Sequence, residues 1–127
     1  MRRTILAVVA ALVAGVAYAH HGVSSYQMDV VHTLEGVVTK WDFGSPHTWL
    51  TLAVAAADGA VTWEIEGAPP RWMSGQGFTP ESLRAGESIT ITYHPHRRTA
   101  NAGILMEVRR TSGDVLKVNR PAALGGP

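Results

Sequence analysis

The chain has 127 residues and no cysteine, and its 11 basic and 10 acidic residues nearly balance. Without cysteine it can form no disulfide, lipid-modified cysteine, thiolate metal site or cysteine nucleophile. The near-neutral charge argues against a nucleic-acid partner, which would require a basic surface.

The first 19 residues have the organisation of a secretory signal peptide. Arg2 and Arg3 precede an uncharged apolar run over residues 5–16, and Ala17-Tyr18-Ala19 has the small-x-small pattern of a cleavage site. The apolar run is shorter than the roughly 20 residues that cross a bilayer. We therefore predict cleavage after Ala19 and a periplasmic or secreted protein without a membrane anchor. Losing both arginines leaves nine basic against ten acidic residues, a net charge of −1.

The mature chain is predicted to contain an arm, one β-domain and a tail. Residues 20–31 show no hydrophobic period and are expected to form an N-terminal arm. Residues 32–120 are expected to form the domain, and the Ala-, Gly- and Pro-rich residues 121–127 a disordered tail. Alternating apolar residues and turn signals predict strands at 33–43, 48–56, 61–66, 89–93, 104–108 and 115–118. Gly36 is predicted to form a bend or bulge in the first of these strands.

A segment of different character separates the third and fourth predicted strands. Pro69 and Pro70 are placed to open a short helix over residues 71–73, and Thr79-Pro80 resembles a second helix start. Three strands, a helical insert and two or three further strands fit a small all-β fold. We predict a five- or six-stranded antiparallel OB-like Greek-key barrel with a short helical insert between strands three and four. A plain antiparallel sandwich is the alternative.

The histidine pair at the predicted mature start can chelate a metal ion. After cleavage at Ala19, His20 would offer both its α-amine and its imidazole, and His21 offers a second imidazole. Nitrogen ligation of this kind suits Cu(II), which prefers tetragonal nitrogen sites and stands above zinc in affinity. Cleavage after Ala17 would place His20 third in the chain, which is also a strong Cu(II) chelator. A solvated pair with no metal is the other possibility.

Three more histidines are expected to lie near one end of the predicted barrel. His94 and His96 flank a proline, and residues two apart in an extended segment share a face, with Cα atoms roughly 6.5 Å apart. His47 follows Pro46 in the loop between the first two strands. In an OB barrel that loop and the loop between strands four and five are neighbours. A dozen extended arm residues reach roughly 40 Å, so the arm can double back to the same end. His32 is interpreted as structural.

Aromatic residues and a neighbouring arginine suggest a second kind of site. Trp63 and Tyr93 share the parity of core residues and are expected to fill the core. Trp49 has the opposite parity and is predicted to be exposed beside His47, so Trp49 and Arg97 are candidates for a ligand or partner surface. The acidic residues show no catalytic spacing, and Glu64 and Glu66 are interpreted as the solvent face of a strand. No catalytic residue is predicted.

The sequence resembles a family of short exported bacterial proteins of unknown function. The similarity is carried by Ala19-His20-His21, by Ser45-Pro46-His47-Thr48-Trp49 and by Glu66-Gly67. Further matching motifs are Leu34-Glu35-Gly36-Val37-Val38 and Leu83-Arg84-Ala85-Gly86-Glu87. Where the family has Asn-Pro-His this chain has Ser-Pro-His. The resemblance implies export and a small β-domain, and it implies no activity.

The residues favour one function and leave two alternatives. The first hypothesis is a periplasmic metal-binding protein, with copper as the metal and zinc as the alternative, that buffers copper or delivers it to an exported enzyme or copper-handling protein. Its ligands would come from His20, His21, His47, His94 and His96. The second hypothesis is a non-catalytic accessory module that binds a partner protein or small ligand, with no metal required. The third is a copper oxidase that uses an N-terminal histidine.

Overall fold

The computed structural model describes residues 22–120. The predicted signal peptide, His20, His21 and the tail from Pro121 lie outside these residues. Residues 22–24 are helical, and six strands and one further helix follow. They are β1 (His32–Asp42), β2 (Trp49–Ala56), β3 (Gly59–Glu66), α1 (Pro70–Ser74), β4 (Ser88–Pro95), β5 (Ala102–Arg110) and β6 (Val115–Lys117).

The strands form one sheet in the order β3-β2-β1-β4-β5-β6. All neighbours in this order are antiparallel. The first half of β1 pairs with β4 and its second half with β2, so this strand belongs to both halves of the fold. A short parallel pairing of Glu64–Glu66 with Ala102–Ile104 closes the sheet. The predicted OB-like architecture is therefore confirmed. Only three residue pairs join β3 to β5, so the sheet forms an incompletely closed barrel.

The core lies inside this curled sheet because apolar side chains alternate along its strands. Val38, Leu50, Leu52, Ile65 and Ile91 are fully buried, and α1 contributes the fully buried Met73. Tyr93 is buried and its ring meets the partly buried ring of Trp63 edge-on, with centroids 5.6 Å apart. The expected core role of these two aromatic residues is confirmed.

Three local predictions need correction. The segment that begins at Thr79-Pro80 makes a turn, in which the Ser82 amide donates to the Thr79 carbonyl and no helix continues. The pairing register of β1 with β2 shifts between Val38 and Lys40, rather than at Gly36. Strand β4 continues to Pro95, so His94 belongs to a strand and not to a loop.

No helix within residues 22–120 is long and apolar enough to cross a membrane.

Candidate functional site

His47 lies beside a carboxylate at one end of the β2–β3 hairpin. The ladder pairs Trp49, the first residue of β2, with Glu66, the last residue of β3, and His47 precedes Trp49 by two residues. Nδ1 of His47 is 3.0 Å from Oε1 of Glu66 and 3.4 Å from the carbonyl oxygen of Gly67. The His47 side chain is 41% exposed, whereas that of Glu66 is only 15% exposed. One partner of the pair is therefore open to solvent and the other is held within the fold.

A tight backbone arrangement fixes this pair. The Thr48 amide donates to the Ala68 carbonyl at 3.2 Å, and the Gly67 amide donates to the Thr48 carbonyl at 2.8 Å. The fully buried Thr48 hydroxyl donates to the Ala68 carbonyl at 2.9 Å. A Cβ atom at position 67 would overlap the Thr48 hydroxyl, so only glycine allows this approach. The hydrogen-bonded hairpin thus continues beyond the ends of β2 and β3, and it holds the side chains of His47 and Glu66 next to each other.

The second oxygen of Glu66 is occupied by the N-terminal arm. The hydroxyl of Tyr26, a buried residue, donates to Oε2 of Glu66. Burial, reinforced by this hydrogen bond to the carboxylate, raises the pKa of Tyr26 well above its usual value. The phenol therefore stays protonated at neutral pH and serves as a fixed donor.

Arg120, near the end of the described chain, adds a positive charge to this network. Burial lowers the pKa of its guanidinium to about 10, and attraction to Glu66 and Tyr26 opposes that shift. Nη1 of Arg120 donates to the Leu105 carbonyl at 2.5 Å. Its buried Nη2 has no hydrogen-bond partner within residues 22–120. Arg120 is still charged at neutral pH and balances the carboxylate.

The sequence did not identify this cluster. The alternation along β3 predicts that Glu66 faces solvent, but its side chain is mostly buried because the arm covers the end of the strand. Tyr26 and Arg120 come from opposite ends of the described chain, and no periodicity links them to Glu66. The one available signal was the Glu66-Gly67 motif itself, since Glu66 is the last residue of the strand and Gly67 follows it directly.

His94 and His96 both contact the arm instead of joining His47. Nδ1 of His94, a buried residue, donates to the Val30 carbonyl at 2.7 Å. Nδ1 of His96 accepts the backbone N–H groups of Arg98 and Thr99 at 3.2 and 2.9 Å. Because backbone N–H groups only donate, neutral His96 must carry its proton on Nε2.

The arm doubles back onto the segment that joins β4 and β5, as its length allows. The Gln27 amide donates to the Pro95 carbonyl at 2.9 Å, and the Arg97 amide donates to the Ser25 carbonyl at 2.8 Å. Nε of Arg97 donates to the Ser24 carbonyl at 3.1 Å, so this predicted surface residue also holds the arm. Trp49 is 40% exposed, as predicted.

The predicted ligands are therefore only partly brought together. Within residues 22–120 no group of three or more His, Asp or Glu side chains is placed to hold a metal ion. His47 pairs with Glu66, while His94 and His96 bind the arm. The arm leads directly back to His20 and His21, which the structure does not describe.

Comparison with known proteins assigns a family and no activity. No curated protein matches this chain. The model of a family of unknown function, DUF6152, matches residues 7–106, which include His47, Glu66 and the contacts of the arm with His94 and His96. The chain belongs to the family of unknown function DUF6152.

Proposed function

We propose that this protein binds Cu(II) with His47, Glu66 and the histidines at the start of its arm, and that it buffers or delivers copper after export. The observation that carries the proposal is the 3.0 Å separation between Nδ1 of His47 and Oε1 of Glu66. Two ligand atoms about 2.0 Å from one metal ion and at right angles to each other lie about 2.8 Å apart. This separation is compatible with one ion bound to both atoms, once the His47 ring turns so that its Nδ1 lone pair points at the ion instead of at Oε1.

The surroundings of Glu66 suit a metal ligand. Carboxylate ligands are commonly oriented by a hydrogen bond to their second oxygen, and Tyr26 supplies that bond. The exposed ring of His47 leaves a path for an incoming ion. A histidine and a carboxylate alone make a weak site, so further nitrogen ligands are needed.

The arm is the source of those ligands. Tyr26 contacts Glu66 directly, and the six residue-to-residue steps from His20 to Tyr26 span at most about 20 Å when extended. His20 and His21 are thus within reach of the pair, and a terminal amine on His20 would add one nitrogen more. Nitrogen-rich tetragonal ligation favours Cu(II) over Zn(II).

In this proposal the remaining candidates, His94 and His96, position the arm and do not bind copper. A metal on Nε2 of His96 would require a proton on Nδ1, which already accepts two backbone N–H groups. His94 is buried against the Val30 carbonyl.

The test uses protein exported with its own N-terminal segment, because a tag or a retained Met1 blocks the amine that the proposal requires. Intact mass should show a chain that begins at His20. Cu(II) titration with paramagnetic resonance should give a nitrogen-rich tetragonal spectrum. His47→Ala and Glu66→Gln should each weaken binding on the order of 10–100-fold.

His32→Ala is the matched control, because His32 is an exposed histidine of β1 that belongs to neither the pair nor the arm contacts. Copper affinity should be unchanged in that variant. Equal affinity in the native, His47→Ala and Glu66→Gln proteins would refute the proposed site and leave an arm that binds copper by itself.

A further inference from the structure

His96 lies where the segment between β4 and β5 contacts the N-terminal arm. Its ring packs edge-on against the ring of Tyr26, with centroids 5.2 Å apart, and the two residues form an antiparallel bridge. On either side of this bridge, backbone hydrogen bonds join residues 95 and 97 to residues 27 and 25. The attachment of the arm therefore depends on the conformation of the chain around His96.

The imidazole of His96 fixes that conformation by accepting two hydrogen bonds from its own loop. Nδ1 accepts the backbone N–H groups of Arg98 and Thr99 at 3.2 and 2.9 Å. The side chain thus acts as asparagine does in an Asx turn, where the side-chain oxygen accepts a backbone amide two residues further on. Both bonds need a lone pair on Nδ1, which only neutral imidazole has.

Protonation therefore affects His96 differently from His94, the other histidine that contacts the arm. The second proton of His96 must go to Nδ1, where it faces two N–H donors and removes both hydrogen bonds. Nδ1 of His94 already carries a proton, since it donates to the Val30 carbonyl at 2.7 Å. A second proton on His94 goes to Nε2 and leaves that bond intact. Of these two contacts, only the one at His96 is broken by acid.

We propose that protonation of His96 releases the N-terminal arm from the domain. Histidine is the side chain that ordinarily changes its charge between about pH 5 and 8. Once charged, the ring must turn away from the amides of residues 98 and 99, and it then loses its edge-on contact with Tyr26. The release needs no metal ion, so it is independent of the proposed copper binding.

The other charged and titratable groups near this contact differ from His96. Tyr26 stays neutral in acid, because burial raises its pKa. Arg97 and Arg98 belong to the same segment, and arginine stays charged in acid. Among the described residues, no carboxylate forms an ion pair with His96. Glu66 contacts the arm through the Tyr26 hydroxyl, so its protonation is a competing source of acid release that the experiment must separate.

Amide hydrogen exchange of the metal-free protein tests the release. The protection factor divides the exchange rate in an unstructured peptide by that in the protein at the same pH, which removes the intrinsic effect of pH on exchange. The protection factors of Gln27 and Arg97 should fall at least about tenfold between about pH 7.5 and about pH 5.5. Val38, inside the domain, should keep its protection. An equal loss at Val38 would indicate unfolding of the whole domain and contradict the proposal.

His96→Asn is the matched variant, because asparagine carries Oδ1 on Cγ where histidine carries Nδ1, and this oxygen accepts the two amides in neutral and acidic solution alike. Its arm should stay protected at the lower pH. His96→Ala lacks the acceptor and should show low protection at both pH values, with circular dichroism as the check that each variant is folded. Loss of protection in acid by His96→Asn, to the same extent as in the native protein, would assign the release to Glu66 or another group and refute the proposal.

Nitrogen chemical shifts of the His96 ring give a second measurement that needs no variant. At the higher pH they should show neutral imidazole with its proton on Nε2. The ring should become charged over the same pH interval in which the arm loses protection. A charged ring with a protected arm, or a ring that is still neutral at about pH 5.5, would overturn the proposal.

Discussion

Tyr26 shows how a single residue links the arm to the domain. Its buried hydroxyl donates to Glu66, and the removal of a hydrogen bond to a charged group costs about 1.5–3 kcal/mol. We expect Tyr26→Phe to lower the free energy of unfolding by this amount at neutral pH. Chemical denaturation of the native protein and the variant measures the difference.

The same residue predicts a pH dependence. The pKa of Tyr26 is raised by folding, so its contribution to stability is complete below its ordinary pKa of 10.0 and is lost as the pH rises above that value. The native protein should lose stability above pH 10 more steeply than Tyr26→Phe does. Arg120 titrates in the same range with the opposite sign. Because Tyr26 raises the pKa of Arg120, the Tyr26→Phe variant lowers that pKa further, which increases the difference between the two proteins in the same direction. If the free energies of unfolding of the native protein and Tyr26→Phe fell in parallel above pH 10, the raised pKa of Tyr26 would be contradicted.

At the scale of elements, the pairing of β4 with β5 depends on the absence of a side chain at Gly103. A Cβ there would lie 2.7 Å from the His94 carbonyl oxygen and would overlap the Tyr93 ring. We expect Gly103→Ala to destabilise the fold by about 1–3 kcal/mol, measured by thermal unfolding. Gly75→Ala is the control, because its nearest contact is an ordinary 3.5 Å and its φ of −64° suits alanine. Equal unfolding temperatures for the two variants would contradict this account.

The elements themselves could largely be predicted from the sequence, and the site could not. Alternation of apolar residues locates a strand because one face is buried, and β2 and β4 follow that rule. Thr79-Pro80 has the residues of a helix start and yet forms a turn, because only a few residues separate it from Gly86, where φ is +89°. Glu66 looked exposed because its burial depends on Tyr26, 40 residues away, and no local pattern reports such a contact.

At the scale of the molecule, the arm and the domain form one continuous structure. The Gln27 and Arg97 amides donate across the boundary between them, to Pro95 and Ser25. We expect both amides to exchange with deuterated solvent at least about 100-fold more slowly than in an unstructured peptide. Val38, whose amide donates to the Glu87 carbonyl at 2.8 Å inside the domain, is the reference. Fast exchange at residues 27 and 97 with slow exchange at Val38 would show that the arm is not docked in solution.

The charge network around Glu66 also has a consequence for when the domain can be completed. Its phenol donor is Tyr26, and its cation is Arg120, which comes 94 residues later in the sequence. Synthesis proceeds from the N-terminus, so the carboxylate and the phenol exist long before the guanidinium emerges from the ribosome. A nascent chain that has not yet reached Arg120 therefore holds the Glu66 carboxylate without the buried cation that neutralises it.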